Sequence, residues 1–224
     1  MNEVIFFAHT LLMSLFTLAA LKLGKEALIS FICLQSILAN LFVTKQMTLF
    51  GFDVTCSDVY MVGALFGLNL LQEFFGKKYV YSTIAISFFI VIFYLIMTQL
   101  HLAYLPNSYD SMQPHFAALL NFMPRIIIAS IVTYVLVQLL DTQLYSALKL
   151  LFKGRYPFLR NLISLSCSQS IDTVMFSFLG LYGLVGSITH VIVVSLAIKI
   201  IAITLTSPFT TVAHRLMRNN NALL

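Results

Sequence analysis

Charge is what this sequence lacks most. Only 9% of its 224 residues are Asp, Glu, Lys or Arg, against about 25% in ordinary soluble domains. With 60% hydrophobic residues and a mean hydropathy of +0.95, that scarcity excludes a soluble globular domain and points to a polytopic membrane protein. Cysteine is also sparse. Cys33, Cys56 and Cys167 are odd in number, scattered and without a C-x-x-C, which excludes a disulfide framework; Cys33 and Cys167 fall inside apolar runs and are expected as buried free thiols. Catalytic signatures are missing as well. There is no G-x-x-x-x-G-K-[ST], H-E-x-x-H or G-x-S-x-G, and no pair of histidines or carboxylates at metal-ligand spacing. Ser187 and His190 lie three apart with no third partner, so the chain reads as neither an enzyme nor a P-loop ATPase, with no cofactor and no metal. The first 22 residues lack a basic n-region and a small-residue cleavage site, and read as a retained helix.

What is present is a series of seven apolar segments: 4–21, 27–44, 59–75, 79–100, 116–140, 162–182 and 188–206. Each is about the 17 to 25 residues a helix needs to cross the hydrocarbon layer. None alternates with period two, so the expected fold is an all-α bundle of seven transmembrane helices (six being the alternative count) in a single domain, 1–224. The fifth segment is expected to continue as an amphipathic helix from Asp141 to Phe152. At 1.5 Å per residue it would outrun the bilayer and must tilt, bend or emerge.

The net charge of +5 would suggest nucleic acid in a soluble chain, but its placement argues otherwise. Lys22, Lys25, Lys77, Lys78, Lys149, Lys153, Arg155, Arg160, Arg215 and Arg218 all fall in alternate connections, and the opposite connections hold only Lys45. By the positive-inside rule the N-terminus is outside and the C-terminus inside the cytoplasmic (inner) membrane.

The remaining basic residues, Arg125 and Lys199, lie within spans, as does Asp172. A central Asp costs about 2.5 to 3.5 kcal/mol even on insertion-based scales. Helical spacing puts Ser168 and Gln169 on its face, one turn earlier. The stripe is either a substrate or ion site or a polar contact fixing two helices in register. Pairing is the cheapest way to keep such groups charged, and Asp172 can pair with Arg125 or Lys199.

In the third span Asn69, Gln72 and Glu73 share a face, and Gly63 and Gly67 form a G-x-x-x-G suited to close helix packing. Glu73 either belongs to the site, as a proton-coupling candidate, or pairs with a lysine at the cytoplasmic interface. Ser57 and Asp58 resemble an N-cap, and Asp53 part of the outer loop. Gln35, Ser36 and Asn40 form a weaker polar patch in the second span; Gln138 and Asp141 lie toward the cytoplasm in the fifth. Residues 104–114 read as a turn-rich loop. A bundle with a polar, ionisable centre suits a solute carrier, or the substrate-binding subunit of one.

Six ordered stretches carry a family resemblance: ANLFVTKQ (39–46), NLLQEFFGKK (69–78), PRIIIAS (124–130), QLLD (138–141), SQSIDTVMF (168–176) and Lys199 with Pro208. Together they resemble the queuosine precursor transporters, also called the YhhQ or vitamin uptake transporter family, from about residue 27 to the C-terminus. Many relatives carry Asp where this chain has Asn69, and residues 1–26 form a span additional to the shorter, six-span members. The resemblance implies import of 7-deazaguanines (preQ0, preQ1 or queuine) for tRNA queuosine salvage. It also implies a fold similar to energy-coupling-factor substrate-binding subunits, for which a separate ATPase module is a possible partner. A deazaguanine offers a flat ring whose adjacent N–H donors suit a carboxylate and whose carbonyl suits an amide. On that basis Asp172 takes the donor edge, Gln169 and Asn69 read polar groups, Ser168 and Asn40 complete the pocket, and Arg125 and Lys199 balance charge.

Overall fold

The computed structural model describes residues 1–42, 45–55, 57–120, 124–182 and 188–221, with backbone alone at 46, 52–55, 124–127, 181, 190–191 and 219–221. Nine α-helices are described: α1 (Asn2–Leu23), α2 (Lys25–Phe42), α3 (Asp58–Phe75), α4 (Lys77–Leu102), α5 (Gln113–Leu120), α6 (Pro124–Leu151), α7 (Pro157–Phe176), α8 (Ile188–Thr206) and α9 (Pro208–Asn221). A π-helical turn, Ser177–Leu181, extends α7. Between α2 and α3 lies a hairpin of β1 (Gln46–Leu49) and β2 (Phe52–Thr55).

Six helical stretches are long and apolar enough to cross a membrane: Asn2–Leu23, Lys25–Phe42, Lys77–Leu102, Ile128–Leu151, Pro157–Gly180 and Ile192–Arg218. Two helices are missing from that set, the short α5 and α3, and α3 is the centre of the bundle. Thirteen of its 18 residues are buried, and it touches α1, α2, α4, α6, α7 and α8. Protein rather than lipid surrounds it, which is how it tolerates Asp58, Asn69, Gln72 and Glu73. Its two interior glycines allow the packing. A Cβ on Gly63 would meet Met13 Cγ at 2.8 Å and crowd Gln35 Oε1, and one on Gly67 would meet Ile32 at 2.8 Å, so α1 and α2 approach the backbone of α3 as the G-x-x-x-G leads one to expect. The outer helices turn large apolar side chains outward, among them Phe16, Phe89, Phe93, Ile128 and Val193, the reverse of a soluble surface.

The fifth apolar segment, 116–140, falls on α5 and α6, and residues 121–123 between them lie outside the described residues. Three features differ from the sequence expectation. The hairpin was not foreseen because its strands are four residues each; its Phe50–Gly51 turn has positive φ at both residues (52° and 82°), the geometry that matches strand twist. The hairpin is tied to α1 by Asn2 Nδ2 donating to the Thr48 carbonyl at 2.9 Å and Phe50 N–H to Glu3 at 3.2 Å. The C-terminal α9 is amphipathic, with Thr210 and Ala213 inward; Ser207 followed by Pro208 is its start signal. Finally, Cys33 is buried, its sulfur 3.3 Å from Ser87 Oγ, but Cys167 is exposed on the outer face of α7. Cys56 and Ser187 lie outside the described residues, as do the side chains of Asp53 and His190.

Candidate functional site

Three polar layers are stacked along α3 and α7. At the N-terminal end of α3, Lys199 of α8 sits between two acids. Its Nζ donates to Asp172 Oδ2 of α7 at 2.5 Å and lies 3.7 Å from Asp58 Oδ1. All three are at least nine-tenths buried. Of the two pairings left open for Asp172, the structure forms the one with Lys199; the side chain of Arg125 lies outside the described residues. Asp58 does not cap: Ser57 precedes α3 with no side-chain cap bond. Its place in the first turn still favours a negative charge, and its second oxygen has no hydrogen-bond partner among the described residues.

At the opposite end, Glu73 is the hub of a charge cluster. Arg160 of α7 grips it with two parallel bonds of 3.0 Å, Lys149 of α6 lies at 3.0 Å and His214 of α9 at 3.3 Å. The Tyr145 hydroxyl reaches it at 3.5 Å and the Tyr145 ring carries the Arg160 guanidinium 5.4 Å from its centre. Arg160, grouped by sequence with the surface cations, is fully buried. Beside this cluster Asn69 donates to Asn161 Oδ1 at 3.1 Å, and Asn161 donates to Ser207 at 3.2 Å, joining α3, α7 and the α8–α9 junction.

Between these ends the interior is polar and under-partnered. Asp141 of α6 is fully buried; its Oδ1 accepts hydrogen bonds from Ser164 at 2.6 Å and Ser168 at 2.7 Å, both on α7. Among the described residues its Oδ2 has no hydrogen-bond partner, and neither do the amide atoms of the buried Gln169 (one turn before Asp172), Gln138 and Gln35, or Thr133 Oγ1. Asn40 bridges α2 and α6, donating to the Ser36 carbonyl at 2.9 Å and accepting from Ser130 at 3.1 Å; the Ser36 and Tyr134 hydroxyls bond just below it.

Native interiors satisfy nearly all buried polar atoms, so these amides and carboxylates are groups that water or a ligand can satisfy. Acceptors come from Asp58 and Asp141 and mixed pairs from Gln138 and Gln169, and none of them lines a described cavity. Of the residues expected from sequence, Asp172, Lys199 and Gln169 fall together. Ser168 is directed to Asp141, Asn69 to Asn161, Asn40 to the α2–α6 contact and Glu73 to its basic partners. Sequence reasoning left out of the site Asp58, read as a cap, and Asp141, read as lying toward the cytoplasm in the fifth span. The serines one turn apart on α7, 164 and 168, were the available signal for the second. Among the described residues, no three His, Cys, Asp or Glu side chains are grouped as metal ligands.

The family described as "Putative vitamin uptake transporter" matches residues 55–213, a stretch that holds Asp58, Glu73, Asp141, Gln169, Asp172 and Lys199 but not Gln35, Ser36, Asn40 or His214. A curated relative from Bacillus subtilis (strain 168), "Probable queuosine precursor transporter", is 28% identical over 201 residues, covering 88% of this chain and 87% of that protein. No solved structure matches.

Proposed function

This chain belongs to the vitamin uptake transporter family and is a membrane transporter, not an enzyme; from that premise we propose that it imports 7-deazaguanine queuosine precursors (preQ0, preQ1 or queuine) across the inner membrane. The observation that carries the reading is Gln169: a fully buried amide with neither of its polar atoms bonded, one turn from a buried Asp172. An amide beside a carboxylate matches the guanine-like edge, whose carbonyl accepts and whose adjacent N–H groups donate. The name of the Bacillus relative points the same way.

In this reading Lys199 is the movable counter-charge. It holds Asp172 at 2.5 Å and stands 3.7 Å from Asp58, so a shift toward Asp58 would free the Asp172 carboxylate for the donor edge of the base while keeping the ammonium paired. Because the three groups sit on α3, α7 and α8, occupancy is thereby linked to helix movement. Arg125 would add positive charge, Asn40 and Asn69 would hold α2 and α3 in register with the pocket, and Ser168 would fix Asp141. Glu73 would serve as a fixed anchor. The topology we assign has seven spans with the N-terminus outside, α3 being the seventh: 18 residues reach about 27 Å. Residues 1–26 are then an added span on a core similar to energy-coupling-factor substrate-binding subunits.

The test is competition uptake of labelled preQ0 by cells unable to make it, with preQ1, queuine and guanine as competitors. We expect the deazaguanines to compete and guanine to do so weakly. Asp172→Asn should reduce uptake at least about tenfold, the equivalent of one charge-assisted hydrogen bond. Wild-type uptake in that variant removes the assignment. Uptake by the purified protein alone in liposomes separates a carrier from a subunit that requires an ATPase.

A further inference from the structure

Two buried acids other than the Asp172 pair lie on the α6–α7 side of the bundle, and they are built differently. Glu73 meets Arg160, Lys149 and His214, so losing its charge would strand cations. Among the described residues Asp141 meets no cation, and from α7 it faces the hydroxyls of Ser164 and Ser168, while Asp172 on that helix is committed to Lys199. On α6 its nearest titratable neighbour is Tyr145, beyond which Glu73 of α3 is already held by its bases. From α4, Lys77 and Tyr81 engage Gln143, on the exposed side of α6. Asp141 also lies near the middle of the crossing stretch Ile128–Leu151.

We propose that Asp141 is the proton-coupling residue of the transport cycle. This rests on the transport reading above and adds its driving force. Its carboxylate takes up one proton at Oδ2 from the side of substrate entry, becoming a neutral carboxylic acid, and gives that proton up on the other side after the substrate has left. The surrounding groups suit both states. Ionised, Oδ1 accepts two short charge-assisted bonds, at 2.6 and 2.7 Å. Neutral, the acid no longer needs both donors, and the Ser164 hydroxyl has the Asp141 backbone carbonyl at 3.4 Å as a second acceptor. Oδ2, with no hydrogen-bond partner among the described residues, is the atom left to receive the proton. A carboxyl that can be satisfied either way, without a fixed counter-charge, is the sort of group that carries protons through membrane proteins.

The experiment uses the full chain in liposomes, with labelled preQ0 and the membrane potential clamped. Counterflow against internal unlabelled preQ0 tests transport alone; accumulation under an imposed pH gradient, acid at the entry side, tests coupling. The wild type should do both, and one pH unit supports at most about tenfold accumulation for one proton per substrate. Asp141→Asn should still exchange, at a reduced rate, but lose gradient-driven accumulation. Accumulation by that variant as in the wild type overturns the proposal. So does wild-type counterflow without any gradient-driven accumulation, a result that leaves the transport reading standing; absence of counterflow overturns the transport reading, and this inference with it. Should Asp141→Asn fail to fold, the Ser164→Ala/Ser168→Ala variant decides. It keeps the carboxyl but removes two donors that favour the ionised form, so the pH midpoint of driven uptake should move upward. An unshifted midpoint overturns the proposal, since a purely structural serine pair would not set it.

Discussion

Glu73 and Asp141 are both acids in a bundle interior, both within reach of α7, and they show two ways of holding a charge away from water. Glu73 is saturated: two bonds to Arg160, a lysine, a histidine and a tyrosine hydroxyl converge on its two oxygens. Asp141 has two serine donors on one oxygen and nothing on the other. The first arrangement fixes four helices, α3, α6, α7 and α9, at one end of the molecule. The second leaves a group able to change state. The difference teaches that burial of a carboxylate does not by itself mark function; the inventory of its partners does.

The largest effect expected from breaking this comparison is at the saturated acid. Glu73→Gln preserves shape but leaves Arg160, which is fully buried, without its counter-charge. Removing one member of a buried pair costs about 3 to 5 kcal/mol, and Lys149 and His214 soften the loss little, since each can turn to water from its partly exposed position. Thermal denaturation in detergent should show the largest fall in midpoint of any single change named here. A small fall would mean that the cluster is decorative and that the contrast with Asp141 has no energetic basis.

A middle-sized effect is expected where α3 is approached most closely. Gly63→Ala places a methyl 2.8 Å from Met13 Cγ and against the Gln35 carbonyl oxygen. Met13 is flexible, so part of the clash can be relieved, and overpacking of this kind costs about 1 to 3 kcal/mol. The Gln35→Ala background, which removes one of the two obstacles, should recover part of that loss in the same melting assay. No recovery would show that the constraint lies with Met13 alone.

Much of this architecture could be read from the residues, and the reasons for the failures are physical. Apolar runs of crossing length marked the helices because lipid tolerates little else, and Gly76 punctuates them where α3 ends and α4 begins. The glycine pair at 63 and 67 announced close packing. The pairing of Asp172 with Lys199 could not be chosen in advance, because sequence spacing put two cations, Lys199 and Arg125, at similar depth and only tertiary packing brings a partner into contact. Arg160 misled for a related reason. Its position in a basic cluster between spans resembles an interfacial charge, yet Glu73 lies 87 residues away in sequence and draws it inside. Asp141 sat in an apparent amphipathic extension, and its burial became visible only once Ser164 and Ser168 were seen to face it. The hairpin's four-residue strands were too short to give a periodic signal.

The smallest effect, and the one that sharpens the comparison most, is expected at Asp141. Asp141→Asn is the same chemical change as Glu73→Gln, an acid replaced by its amide in a buried site. Here no cation is stranded, the amide oxygen can still accept from Ser164 and Ser168, and the expense of a desolvated negative charge is removed. The melting midpoint should therefore correspond to a change within about 1 kcal/mol of the wild type, on either side of zero. The two amide variants measured side by side in one detergent form a controlled pair, since solvent, probe and type of substitution cancel. Equal large losses would mean that Asp141 has a counter-charge in solution that the described residues do not supply, and that it is a second anchor. A large loss at Glu73 with near-neutrality at Asp141 is the outcome that a fixed anchor and a protonatable site require of the same bundle.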